Sequence, residues 1–267
     1  MNQILSGGAG LIYASGLLFV AGLFVGMLAC MEAGRRLGRR QLARDPKGAR
    51  EGISAVEGAM FALLGLLIAF TFSGAASRFD QRRDLLVRET NAIGTAYQLI
   101  DLLPAGDQSI MRDKFRQYVG ARLSVYRAIP DLEAVYAGLA RSTELQNEIW
   151  SRSVALTRDA PSPAVTTLVL GALSEMSDIV TIRTVALQTH PPLVIFAMLG
   201  VLGLTCALLA GYGMAESSTR NWIHPVVFAA TTVLTIYVIL DLEFPRVGLI
   251  RIDSFDQLLV DLLESMK

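Results

Sequence analysis

The side chains best equipped for chemistry in this 267-residue chain are few and scattered. Both cysteines, Cys30 and Cys206, fall inside apolar runs, where a thiol behaves as a small hydrophobe. His190 and His224 each stand beside a proline at the edge of an apolar run, without the spaced His, Cys or Glu partners that a metal site needs. No Gly-rich phosphate loop and no nucleophile with a matching base is present, so an enzyme is not expected, and neither is a metal or cofactor. The formal net charge of +0 gives no global basic field, and nucleic acid is not an expected partner.

What remains is charge set against apolar sequence. Glu57 directly precedes an uncharged run, and a carboxylate at such a boundary must be wet, paired or neutralised. A pairing with Arg50 and a pore-mouth carboxylate are both open readings. Arg78, Arg82 and Arg83 follow the same run, and Asp241 and Glu243 close a later one. Acids at a helix C-terminus face the negative end of its dipole and need cations nearby. Ion pairs between these acids and arginines are therefore expected, as a structural clamp or as a vestibule that steers ions.

The elements that hold these groups follow from composition. The chain is 52% hydrophobic and only 18% charged, an apolar excess that needs lipid to hide in. About 20 apolar residues make a helix that crosses a hydrocarbon core roughly 30 Å thick. Four stretches qualify: Leu11 to Met31, Gly58 to Ser77, Leu193 to Met214 and Trp222 to Leu240. Prolines at 191, 192, 225 and 245 sit at the ends of the last two rather than inside them. Membrane lipid is thus one expected partner. The first span has no basic residue before it and reads as retained rather than as a cleavable signal.

Residues 78–190 hold no uncharged run of spanning length and read as a water-facing helical insert. Phe79, Leu86, Ile93 and Ile100 recur at heptad spacing with Tyr97 between them, while Asp84, Arg88, Asn91, Thr95 and Gln98 form a polar stripe. No turn signal separates this helix from the second span, so one helix from Gly58 to about Leu102 is expected, ended by Pro104. Further helices are expected at 108–128, 131–158 and 163–188, and an amphipathic helix at 254–266 that packs on the insert. The carboxylates and arginines of the insert suit surface pairs, such as Asp84 with Arg88. The fold class is an all-α membrane protein with a first transmembrane hairpin at 1–77, the extramembrane insert at 78–190, a second hairpin at 191–243 and a C-terminal segment at 244–267.

The loop from Gly34 to Gly52 carries Arg35, Arg36, Arg39, Arg40, Arg44, Lys47 and Arg50 against Asp45 and Glu51. The positive-inside rule places it in the cytoplasm of a plasma (inner) membrane, with the N-terminus, insert and C-terminus outside.

A wheel at 100° per residue divides the second span into three faces. Gly58, Ala62, Gly65, Ala69 and Ser73 form a small face suited to helix packing. Leu63, Leu66, Leu67 and Phe70 are bulky and apolar, fit for lipid or another helix. Glu57, Phe61, Leu64, Ile68, Thr71 and Ala75 make a third, apolar in the middle, which would line a pore if several copies surround an axis and would fill a bundle core otherwise.

The stretch FALLGLLIAFTFSGAASRFDQRRDLLVRETNAIGTAY, the following DLLPA, and DLEFPRVGLIRID near the end resemble the bestrophin-like domain family of membrane proteins. Leu63 to Leu66, then Gly74 to Ala76, then Arg78-Phe79 with Asp80, Arg82 and Arg83 follow the order of the second helix in bacterial bestrophins. The resemblance implies a homo-oligomer, pentameric in bestrophins, that passes permeant ions along its second helix. On that basis Phe61, Leu64 and Ile68 are neck candidates, and selectivity is left open. The alternative is a non-conducting oligomeric scaffold or sensor whose insert binds a partner.

Overall fold

The structure, a computed structural model, describes residues 8–44, 53–128, 131–158, 162–216, 222–246, 248–252 and 256–266. Eight α-helices make up the described chain: α1 (Gly8–Arg44), α2 (Ile53–Gln98), α3 (Ala105–Arg127), α4 (Leu132–Thr157), α5 (Pro163–Gln188), α6 (Leu193–Gly213), α7 (Ile223–Glu243) and α8 (Gln257–Ser265). Four of them, α1, α2, α6 and α7, contain the apolar runs long enough to cross a membrane.

Helix α2 is 46 residues long, about 70 Å at 1.5 Å per residue. That is more than twice a hydrocarbon core, so it must continue beyond the bilayer. No proline falls between Ile53 and Gln98 to interrupt it. A single 3₁₀ turn at Leu99–Leu102 follows, and Pro104 forces Leu103 into an extended conformation that ends the run. Helix α1 also outlasts its span: Arg35, Arg36, Arg39, Arg40 and Arg44 lie on helix, not in a loop. The remaining basic-loop residues expected at 45–52 lie outside the described residues.

The chain divides into two compact units. One gathers Leu11–Ser77 with His190–Phe244, the other Arg78–Thr189 with Pro245–Lys267. The membrane unit has its own core of Met27, Leu199, Ala207, Ala229 and Ile236, all fully enclosed. Helices α1 and α6 cross closely here. A Cβ on Gly34 would overlap the Leu208 carbonyl, one on Gly211 would overlap that of Met31, and one on Gly38 would fall 2.8 Å from the Tyr212 oxygen. These three glycines let the two backbones meet, the role that small residues take between helices in lipid. The buried Cys206 thiol contacts the Met60 carbonyl at 3.5 Å, joining α6 to α2 as a structural residue.

The extramembrane unit packs Leu86, Ile93 and Ile100 of the expected heptad into its interior, with Met111, Phe115, Tyr118, Ile149 and Met176 from α3, α4 and α5. Tyr97 stands edge-on to Phe115 at 5.9 Å. Asp131 and Ser162 cap α4 and α5 through their side-chain oxygens, each 3.2 Å from a backbone N–H, and Pro163 takes the first turn of α5. On α5, Ala172, Met176 and Ile179 are buried, whereas Leu168 is exposed. Helix α8 docks as expected: Leu259 is fully buried in the same core, and the Met266 carbonyl accepts hydrogen bonds from the Tyr97 hydroxyl and from Arg116.

Candidate functional site

Within the single chain the faces of α2 differ in how far they are enclosed. Leu64, Thr71 and Ala75 are buried by the chain's own helices, and Ile68 packs against the membrane-unit core. Phe61 meets Phe228 of α7 edge-to-face at 5.7 Å. Within the single chain, then, Leu64, Thr71 and Ala75 are enclosed, while Glu57, Phe61 and Ile68 are half-buried. Glu57 belongs to the same side: a Cβ on Gly213 would stand 3.4 Å from its Oε1, which is buried and accepts no hydrogen bond from the described residues. Arg50, its expected partner, lies outside them.

The small face is the reverse case. Among the described residues, Gly58 and Gly65 have nothing within 4 Å of where a Cβ would be, and Ala62, Ala69 and Ser73 are exposed. Bulky Leu63, Leu66 and Phe70 are exposed too, the last by 68%.

One line of exposed residues runs the length of the helix within this broader exposed side. Ala59, Ala62, Leu66, Phe70, Ser73 and Ser77 lie within about 40° of one direction at 100° per residue, and every one is exposed. Asp80, Asp84, Arg88, Asn91, Thr95 and Gln98 continue that direction, and all are exposed as well. The polar stripe expected beyond the bilayer is thus the extension of an exposed apolar stripe within it. Asp84 and Arg88 form no ion pair with each other in the described structure, contrary to the expected surface pair.

The boundary charges are placed as follows. Arg82 is buried and donates to the Thr189 and Ala186 carbonyls at 3.0 and 3.3 Å. These oxygens close the C-terminal end of α5, where a cation is favoured by the exposed carbonyls and the dipole. Arg83 bonds Asp80 at 3.1 Å and lies over the Phe79 ring, while Arg78 is half-buried. In the membrane unit, Asp241 accepts from the Tyr237 hydroxyl at 3.1 Å. Glu243, 1% exposed, stands 3.6 Å from His190 Nδ1, and the His190 ring stacks on Phe244.

The strongest polar constellation is one that the sequence did not single out. Glu89 of α2 is fully buried in the extramembrane unit between Arg122 of α3 and Arg183 of α5, each 4% exposed. Arg122 Nε donates to Glu89 Oε1 at 2.7 Å, and Arg183 Nη1 donates to Oε2. The Tyr126 hydroxyl accepts from both arginines and donates to Glu89 Oε2 at 3.4 Å. Arg183 also lies 4.2 Å and Arg246 5.0 Å from the Tyr126 ring centre. Burial alone would raise the Glu89 pKa, but the paired guanidiniums outweigh it and hold the carboxyl below the usual range. Burial pushes the Tyr126 hydroxyl up to about 12. A signal for this node existed: Glu89 sits three residues after Leu86 and four before Ile93, on the apolar stripe itself.

Long charge-free helices joined to a helical extramembrane unit define a multi-pass, all-α membrane protein. The family model for the bestrophin-like domain matches residues 21–254, and the chain belongs to that family. Its fold resembles crystal structures of a bacterial bestrophin homologue from Klebsiella pneumoniae, here three single-substitution variants. The first is 14% identical with a TM-score of 0.65, covering 91% of this chain and 98% of that one. The second is 16% identical with a TM-score of 0.61, covering 89% and 99%. The third is 15% identical with a TM-score of 0.64, covering 92% and 98%. At these identities the likeness is one of fold. No curated protein matches the sequence.

Proposed function

We propose that this chain is the subunit of a homo-oligomeric ion channel in which copies of α2 surround the axis and line the pore. Membership of a family whose known members are ion channels supports the general reading. The observation that carries the pore assignment is the unbroken exposed line along α2 from Ala59 to Gln98. On a lone helix its apolar half could simply meet lipid; its polar half demands water along the same direction. A shared aqueous axis satisfies both.

In that arrangement Leu66 and Phe70 form an apolar constriction of the kind that gates by dewetting, with Ser73, Ser77, Asp80 and Asp84 widening into a polar vestibule. The exposed apolar residues of α6 and α7, among them Leu193, Val201, Ile223 and Leu234, face the lipid of a plasma membrane. Five subunits follow from the family resemblance. The test is planar-bilayer recording from purified protein: currents above protein-free controls are expected, and an intact oligomer that stays silent across varied pH and salt contradicts the reading.

Orientation is decided by a second measurement. The count of basic residues over 34–52 puts the extramembrane unit outside, whereas the bestrophin resemblance puts it in the cytoplasm. Thr143 is exposed on α4, so Thr143→Cys is open to an impermeant thiol label. By the charge count, intact cells are labelled; labelling that appears only after lysis reverses the topology.

A further inference from the structure

The basic end of α1 continues an exposed apolar side of the same helix. Leu18, Gly22, Val25 and Ala29 lie within about 40° of one direction at 100° per residue, and all are exposed, Leu18 by 74% and Val25 by 65%. Arg36 and Arg40 fall on that same direction and are exposed as well. The opposite side is enclosed: Leu23, Met27 and Met31 enter the membrane-unit core, and Gly34 and Gly38 are buried against α6.

The two glycines fix the depth of these arginines. Gly34 meets the Leu208 carbonyl and Gly38 the Tyr212 carbonyl, both in the last two turns of α6. Arg36 therefore stands level with the final apolar turns of a spanning helix, and Arg40 about one turn further out. Guanidinium groups at that level, turned away from the bundle, reach the lipid headgroups. Arg36 donates to Glu32 at 2.8 Å while its side chain stays 72% exposed, and Arg40 makes no hydrogen bond or ion pair among the described residues. The positive surplus here does not depend on how single arginines pair. From residue 32 to 52 the sequence carries seven cations against Glu32, Asp45 and Glu51, and adding Glu57 and Glu216 from the neighbouring helix ends still leaves cations in excess.

We propose that Arg36 and Arg40 bind the phosphate of an anionic phospholipid whose chains lie along Ala29 and Val25. Guanidinium N–H groups match phosphate oxygens, and an anionic head answers the local surplus, whereas a zwitterionic one brings its own cation. The site requires neither conduction nor a particular orientation in the membrane. Its test is native mass spectrometry of the full chain in detergent, titrated with dioleoyl phosphatidylglycerol and, separately, with dioleoyl phosphatidylcholine, which has the same acyl chains. A basic side chain near an anionic surface is worth about five-fold in affinity, so phosphatidylglycerol is expected to bind tighter by on the order of ten-fold or more. Arg36→Gln/Arg40→Gln should remove most of that preference, and Arg40→Gln alone should reduce it about five-fold, with lipid-free melting temperatures at the wild-type value. Arg39→Gln/Arg44→Gln, which removes the same charge from the flanking directions, should keep most of it. An excess of glycerol 3-phosphate should leave the bound lipid in place; displacement would mark a site for a soluble anion and overturn the proposal. Equal affinity for the two lipids, a preference that survives in Arg36→Gln/Arg40→Gln, or one lost as fully in Arg39→Gln/Arg44→Gln also overturns it.

Discussion

Replacing Leu66 or Phe70 with Asn is expected to raise the channel current at least several-fold and to slow the growth of cells that express it. These side chains are 53% and 68% exposed in the single chain and stand on the line that continues into the polar stripe. A polar residue in an apolar constriction wets it and lowers the barrier to ions, and because neither side chain is enclosed, its loss leaves the helix packing intact. Leu64→Asn is the contrasting variant. Leu64 is 4% exposed, and burying an amide without hydrogen-bond partners costs about 1–3 kcal/mol on mutational scales. Lower expression without added leak is expected there. Bilayer recordings and expression yields of the three variants, measured side by side, check both halves.

Glu89→Leu should be the most damaging single change in the extramembrane unit. It leaves Arg122 and Arg183 buried around Tyr126 without their carboxylate, a loss of about 3–5 kcal/mol for a broken buried pair. Removing all three charges with apolar residues of similar volume should be far milder, because desolvation of the ions is then avoided as well. Glu89→Gln adds a pH signature. The folded-state pKa of Glu89 lies below its unfolded value, so its ionic contribution is complete above the unfolded carboxylate range, near about 4.3, and is lost as pH falls through the depressed folded value. Wild type should therefore exceed Glu89→Gln in melting temperature by a constant margin from neutral pH down to that range, and the margin should close only in stronger acid. Melts in detergent across pH check this, and a gap that closes near neutrality contradicts the buried pair.

The parts of the structure that were legible in the sequence are those set by local rules. Uncharged runs mark the four spans because lipid cannot solvate charge, and the heptad of Leu86, Ile93 and Ile100 marks a core-facing stripe that is indeed buried. Ser162-Pro163 and Pro104 mark a helix start and a helix end by backbone chemistry alone. What escaped reading depends on partners distant in sequence. Periodicity separates the faces of α2, but only its neighbours determine which face is enclosed. Phe61, Leu64 and Ile68 read as neck candidates and Leu66 and Phe70 as a face for lipid or another helix, whereas in the folded chain Leu64 is enclosed, Phe61 and Ile68 pack against α7 and the membrane-unit core, and Leu66 and Phe70 are exposed.

The same holds for the glycines and the charges. Gly34 and Gly38 sit among arginines, so their stretch reads as a loop, and their function becomes visible only against Gly211 and Tyr212 of α6. Glu89 is 33 residues from Arg122 and 94 from Arg183, and no local rule joins them. A charged residue on an apolar stripe was the available clue. Arg82 likewise reads as a boundary cation, whereas its burial against the last carbonyls of α5 is a tertiary fact.

The central claim, that the exposed line of α2 faces an aqueous axis, is tested most directly by thiol modification of the current. In a background with Cys30 and Cys206 replaced, Leu66→Cys and Ser73→Cys would be recorded in bilayers before and after a charged, membrane-impermeant thiol reagent, with Leu64→Cys and Ala75→Cys as buried counterparts. The expected result is a rapid change in current at Leu66 and Ser73 and none at Leu64 and Ala75. Modification confined to Leu64 and Ala75, with Leu66 and Ser73 silent, would place the axis on the opposite side of the helix and contradict the assignment.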